Sequence, residues 1–247
     1  MLTVRHLSFT MGKKEILNDI CLDFGQDKFT AILGPNGSGK STLLSFLSKE
    51  RQSHGAVQFA GQSLDDIPAR AYAQRVAMLP QQREHMANFH AEDVVVMGRY
   101  PFKKQFHDYT ARDYEIARQA MMMTGTDSLR KRRLSSMSGG EIQRTMIAKV
   151  FAQQPELILM DEPTNHLDVK YKLALMQTLK NYGHTIIVVL HDLSLALQFT
   201  DEVILMKEGK IYAHGMTPEV MQTNVLENLF GVPFVRYEQN GKIYLNY

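Results

Sequence analysis

A single cysteine, Cys21, stands in the whole chain. An internal disulfide is therefore excluded, which suits a reducing compartment. No run reaches the roughly 18 consecutive apolar residues that a membrane-crossing helix needs, so the chain is not expected to span a bilayer by itself. The first ten residues, Met1 to Thr10, alternate like a strand and lack the apolar core of a signal peptide. Charge of one sign is missing as well. Lys plus Arg number 28 and Asp plus Glu 26, a net +2 that argues neither for nor against a nucleic-acid partner. Internal repeats and low-complexity tracts are absent, and the nine histidines show no zinc-like cluster with cysteines in the sequence. The longest charge run, Arg130 to Arg133, reads as a solvated helix end or loop.

What is present is a chain of 247 residues, 44% hydrophobic and 22% charged, enough for one large domain or a core with a subdomain. Short apolar runs alternate with helical patterns. Phe29 to Leu33, Val76 to Leu79, Leu157 to Met160 and Thr185 to Leu190 are apolar without alternation, as strands covered on both faces are. Helices between them supply the crossovers of a parallel sheet. From about 85 to 154 the pattern turns helical, with helices expected over Tyr114 to Thr124 and Gly140 to Gln153. Two hairpins are expected: Asp201 to Ala213 turning at Glu208-Gly209, and Val235 to Tyr247 turning at Asn240-Gly241. Met121, Met122 and Met123 read as packing residues that fill irregular gaps.

Gly34-Pro35-Asn36-Gly37-Ser38-Gly39-Lys40-Ser41 fits G-x-x-x-x-G-K-[ST] in full, between an expected strand and an expected helix. Glycines let backbone N–H groups turn inward on a polyphosphate, and the helix start adds partial positive charge. Lys40 can reach the β- and γ-phosphates, and the Ser41 hydroxyl can ligate Mg²⁺. Asp161-Glu162 closes the Leu157 strand. Asp161 is placed to hold Mg²⁺ directly or through water, and Glu162 to polarise an attacking water. Met137-Ser138-Gly139-Gly140-Glu141 reads in two ways: a Ser138 cap with Glu141 completing a capping box, or that same capped start used as a phosphate site.

These motifs, in this order, resemble those of ABC-type nucleotide-binding subunits. Ser138, Gly139 and Gly140, followed by Gln143-Arg144, match the signature motif, with Met137 where Leu is usual and Glu141 where Gln is common. The resemblance implies a fold: a P-loop NTPase α/β core of ABC type, with an N-terminal antiparallel β portion and an inserted helical subdomain. The core would take residues 1–84 and 155–247, and the helical subdomain about 85–154. It implies ATP and Mg²⁺ as ligands, held by Gly34, Pro35, Asn36, Gly37, Ser38, Gly39, Lys40, Ser41 and Thr42, by Gln81, and by Ser138, Gly139 and Gly140 of a second subunit. Lys40, Glu162 and His191 would be catalytic, and Ser41, Gln81 and Asp161 would serve the metal. Asn165-His166-Leu167-Asp168 resembles the D-loop. The base-stacking aromatic is open: Met11 stands where Tyr often sits, with Phe9 nearby.

Leu79-Pro80-Gln81-Gln82 and Gly98-Arg99-Tyr100-Pro101-Phe102 resemble the ATPases of importers for iron-siderophore, haem and cobalamin. By itself, Pro101 would also mark a helix stop near Arg99. The implied partners are a second nucleotide-binding subunit, as a homodimer or with a homologue, transmembrane permease subunits and, indirectly, a substrate-binding protein, with no nucleic acid. The implied place is the cytoplasmic face of the membrane. The alternative is a soluble ABC ATPase in cytosolic assembly, such as iron–sulfur cluster biogenesis.

Overall fold

The computed structural model describes residues 2–81, 87–104, 106–239 and 242–246. In chain order the elements begin with β1 (Leu2–Met11), β2 (Lys14–Phe24), β3 (Phe29–Leu33), α1 (Lys40–Leu47), β4 (Val57–Phe59) and β5 (Gln62–Ser63). Next come α2 (Ala69–Ala73), β6 (Val76–Leu79), α3 (Ala91–Val96), α4 (Ala111–Met123), α5 (Gly139–Ala152), β7 (Leu157–Asp161) and α6 (Val169–Lys180). The chain continues through β8 (Thr185–Val189), α7 (Leu193–Phe199), β9 (Glu202–Lys207), β10 (Lys210–Met216), α8 (Thr217–Val220), α9 (Thr223–Phe230), β11 (Val235–Gln239) and β12 (Lys242–Asn246). No helix among the described residues is long and apolar enough to cross a membrane.

Two compact units divide the chain, the first of residues 1–67 and 179–247, the second of residues 68–178. In the first unit, β2, β1, β4 and β5 make an antiparallel sheet in that order. Beside it, β3 lies between β8 and β9, parallel to both, with β10 antiparallel at the outside of β9. All five residues of β3 and of β8 are buried. Their β-branched, unalternating composition suits a strand with both faces covered. The β9–β10 hairpin turns at Glu208 (φ 49°) and Gly209 (φ 77°), two left-handed residues as a tight hairpin requires. A Cβ at Gly209 would lie 2.6 Å from the Ile16 carbonyl oxygen, so the turn sits flat on β2. At the C-terminus, β11 and β12 pair antiparallel. The expected turn, Asn240-Gly241, and Tyr247 lie outside the described residues.

The second unit carries a parallel pair, β6 and β7, together with α3, α4 and α5. The helical stretch expected at 85–154 lies inside it. α4 begins at Ala111, earlier than the expected Tyr114, because Thr110 and Asp113 form a full capping box. The chain does not stop its helix near Arg99: α3 ends at Val96, and a 3₁₀ turn over Met97–Phe102 carries Pro101 within it. A 3₁₀ turn closes with bonds one residue shorter than α, and it tolerates proline near its end. Gly98 is required there, since a Cβ would come 2.2 Å from the Lys149 carbonyl oxygen of α5. The methionine run divides. Met121 is fully buried, whereas Met122 (55% exposed) and Met123 (48%) face outward and line a cavity of about 270 Å³ with Arg144 and Tyr171. Successive helical residues are 100° apart, so three in a row cannot share one buried face.

Candidate functional site

In the first unit the chain leaves the buried end of β3 at Leu33 and winds through Gly34 to Gly39 into α1. Two glycines in this loop have no room for a side chain. A Cβ at Gly34 (φ 151°) would lie 2.2 Å from the Met206 carbonyl oxygen, and one at Gly39 (φ 100°) would lie 2.9 Å from that of Ile16. The loop is closed by Ser38 N–H donating to Pro35 O (3.2 Å), and tied to the β9–β10 turn by Gly209 N–H donating to Ser38 O (3.2 Å). Lys40 is 6% exposed, and its Nζ donates to Gly34 O at 2.8 Å and Pro35 O at 3.0 Å. A buried ammonium held by carbonyls of its own loop sits where a polyphosphate would take over the contact. The Ser38 Oγ is buried without a hydrogen-bond partner. The residue before α1, Gly39, provides no side-chain cap. Asn36, Gly37 and Ser41 are exposed, and Pro35 and Thr42 half-buried.

His191 stands in the same unit, one residue beyond the Leu190 N–H that donates to Ile32 O of β3 at 3.2 Å. Adjacent parallel strands thus deliver the loop and the imidazole at their C-terminal ends. Asp192 anchors the corner by accepting from Ser194 N–H (3.0 Å) and Leu195 N–H (3.1 Å), a cap that the sequence reading did not single out. Neither candidate for base stacking is a free platform of the usual kind. Phe9 meets Phe46 edge-on at 5.4 Å and lies under Arg51 at 4.8 Å, while Met11 is 61% exposed.

In the second unit β6 and β7 end side by side, and their tips meet. Gln81 Nε2 donates to Glu162 Oε2 at 2.9 Å. The Asn165 side-chain amide donates to the same oxygen, and Asn165 N–H to Glu162 O at 3.2 Å. Glu162 has a left-handed backbone (φ 51°), an uncommon state for a non-glycine residue and one that turns its carboxylate out of the strand line. Asp161, one residue earlier, is 6% exposed. Sequence reasoning had no way to see Asn165 as a second amide on Glu162, because that contact depends on the turn that brings residue 165 back.

The signature segment forms the expected capping box. Ser138 Oγ accepts from Glu141 N–H (3.3 Å), and Glu141 Oε2 accepts from Ser138 N–H (2.7 Å). The Ser138 N–H holds the Glu141 carboxyl below its usual range, helped by the Ser138 hydroxyl and by Arg132 and Arg144 nearby. Gly140 lies against the D-loop segment, where a Cβ would come 3.2 Å from the His166 carbonyl oxygen. Arg99 of the Gly98-to-Phe102 segment is buried. It pairs with Asp113 at 3.3 Å, donates to Ala152 O at 3.1 Å and stacks on Phe102 at 4.1 Å. Tyr100 beside it is 70% exposed.

Residues 17–165 match the ABC transporter family. The chain belongs to that family and is an ABC-type ATPase. It is 33% identical over 231 residues to the ferric enterobactin transport ATP-binding protein FepC of Escherichia coli (strain K12), covering 92% of this chain and 85% of that one. It is 34% identical to the iron(3+)-hydroxamate import ATP-binding protein FhuC of Bacillus subtilis (strain 168), covering 94% and 88%. The hemin import ATP-binding protein HmuV of Gloeobacter violaceus is 36% identical, covering 94% and 88%. Among solved structures, a metal-chelate type ABC transporter in an inward-facing conformation superposes with a TM-score of 0.84 at 24% identity, over 99% of this chain and 95% of that one. The dimeric ATP-binding cassette MJ0796 bound to ADP and Pi gives 0.78 at 25% identity, over 88% and 99%. The fold of this ABC ATPase is accordingly the α/β P-loop core with an N-terminal antiparallel sheet and an inserted helical part.

Proposed function

We propose that this ABC ATPase is the motor subunit of an importer for an iron chelate of siderophore or haem type, docked on the cytoplasmic face of the cell membrane. The relatives named for ferric enterobactin, hydroxamate and hemin support the substrate class. The observation that carries the nucleotide chemistry is the glycine loop before α1, where Lys40 is buried against the Gly34 and Pro35 carbonyls and backbone fills the space a Cβ would need.

Gly34 to Thr42 would cradle the phosphates, with Lys40 turning from its loop carbonyls to the β- and γ-phosphate oxygens. Ser38, buried and lacking a partner, has a hydroxyl to offer there. Ser41, Gln81 and Asp161 are all oxygen donors, the set that Mg²⁺ prefers, and the residues fit that ion. Held by Ser41, Gln81 and Asp161, Mg²⁺ would supply positive charge that offsets the phosphates. Glu162, oriented by the Gln81 and Asn165 amides, takes the proton of the attacking water as its oxygen bonds to the γ-phosphorus and ADP departs. His191 contacts the γ-phosphate.

Residues 85–154 serve as the helical subdomain that presents Ser138, Gly139 and Gly140 to the nucleotide of a second copy. The Gly98-to-Phe102 segment, with Tyr100 outward, faces the permease. A substrate-binding protein joins the assembly through that permease, and no nucleic acid takes part. Affinity capture from native membranes, with the co-purified chains identified by mass spectrometry, tests the reading. A many-helix permease and a binding protein are expected. Recovery of soluble assembly factors alone would favour cytosolic cluster assembly and remove the transport claim.

A further inference from the structure

A cluster on the antiparallel sheet takes no part in the nucleotide chemistry. Strands β1 and β2 pair Val4 with Leu22, then Leu7 with Ile20, so Arg5 and His6 together oppose Cys21. The next pairs are Leu7 with Ile20 and Phe9 with Leu17, so here the surplus lies on β2, and Asn18 and Asp19 oppose Ser8. Two bulges on opposite strands follow each other directly, and each re-aims a side chain. Together they bring His6 of β1 to Asp19 and Cys21 of β2, 13 and 15 residues further along the sequence. This corrects the sequence expectation that no histidine gathers with the cysteine.

His6 Nδ1 stands 2.7 Å from Asp19 Oδ1, and Cys21 Sγ 3.8 Å from His6 Nδ1. One ligand atom from each residue lies within 4.8 Å of the other two, and all three residues are exposed. The backbone braces the group: His6 N–H donates to Cys21 Sγ at 3.2 Å and Asp19 N–H to Ser8 Oγ at 2.9 Å. The neighbouring cation, Arg5, is turned to Asp23 at 2.7 Å.

We propose that His6, Asp19 and Cys21 form a three-ligand site for a divalent transition metal of the zinc class, with its fourth position open to solvent. A tetrahedral Zn²⁺ with bonds of about 2.3 Å to sulfur and about 2.0 Å to nitrogen and oxygen sets ligand-to-ligand edges of about 3.3–3.6 Å. The two distances above bracket that range, so the His6–Asp19 edge must open by about 0.6 Å and the His6–Cys21 edge contract by about 0.3 Å. Imidazole with thiolate selects a borderline or soft ion over Mg²⁺ or Ca²⁺. A thiolate ligand requires that binding release the Cys21 thiol proton. The ion would clamp β1 to β2, the strand whose Ile16 carbonyl abuts Gly39. The site stands apart from the ATPase reading and does not depend on it.

The test is a titration of the metal-stripped full chain with Co²⁺, read by the thiolate-to-cobalt charge-transfer band in the near ultraviolet. Cys21 is the only cysteine, so metal at a nucleotide site contributes nothing to that band. The expected result is saturation at one Co²⁺ per chain, displacement by Zn²⁺, and loss of the band in Cys21→Ser. His6→Asn and Asp19→Asn should each weaken binding tenfold or more. Asparagine is chosen because both positions have left-handed backbone (φ 50° and 51°), which it tolerates. Absence of the band, or affinity unchanged in both asparagine variants, overturns the site.

Discussion

Two helices in this chain have glycine at their start, α1 just before its first residue and α5 at its first two, and their first turns are finished in opposite ways. α1 follows Gly39 with no side-chain cap, and the nearest cation, Lys40, is folded onto the loop. α5 follows Ser138, whose hydroxyl and Glu141 partner complete a reciprocal capping box. The difference separates two uses of one physical device. A helix start is positive because its first N–H groups lack acceptors. Left uncapped, it is open to an anion; capped from within, it already has an acceptor of its own.

The largest effect should fall on the uncapped start. Lys40→Ala removes the main cation from the phosphates and is expected to lower ATP turnover about 100-fold or more while leaving the melting temperature near wild type. Glu162→Gln should come next. Loss of the proposed base is expected to cost about 100-fold in turnover, with ATP binding retained, as measured by single-turnover phosphate release and nucleotide retention. Gly34→Ala probes the fold of the same loop. Its Cβ would press on the Met206 carbonyl, and chemical denaturation should show a loss of about 1–3 kcal/mol. Ser138→Ala breaks the other helix start and should cost about 1 kcal/mol of stability. If Lys40→Ala unfolds the chain, or Ser138→Ala costs it no stability, the contrast between the two starts fails.

The smallest effect concerns pH. Glu141 has its folded-state carboxyl depressed below the usual 4.5 by the Ser138 N–H. The stabilisation is thus complete above that ordinary value and is lost as pH falls through the lowered one. Glu141→Gln should flatten the acid side of a stability–pH curve and leave neutral pH little changed.

Much of the fold and of the candidate site's local geometry was legible in the sequence because its signals are local. The loop from Gly34 to Ser41 is contiguous, the strands are short apolar runs, and the Ser138–Glu141 cap spans four residues. What escaped depends on chain reversals or close approach. Asn165 reaches Glu162 through a turn, and Gly98 is demanded by the α5 backbone 51 residues later. Helical phase placed Met121 inside and its two neighbours outside. The His6, Asp19 and Cys21 cluster needs two successive bulges, which no periodicity announces.

Phosphate release from Mg-ATP by the purified chain, wild type beside Glu162→Gln with bound nucleotide measured in parallel, tests the central claim most directly. The account predicts turnover by the wild type, and a variant that holds intact ATP and releases almost no phosphate. A variant that turns over at the wild-type rate would contradict the role given to Glu162 and the half-site built around it.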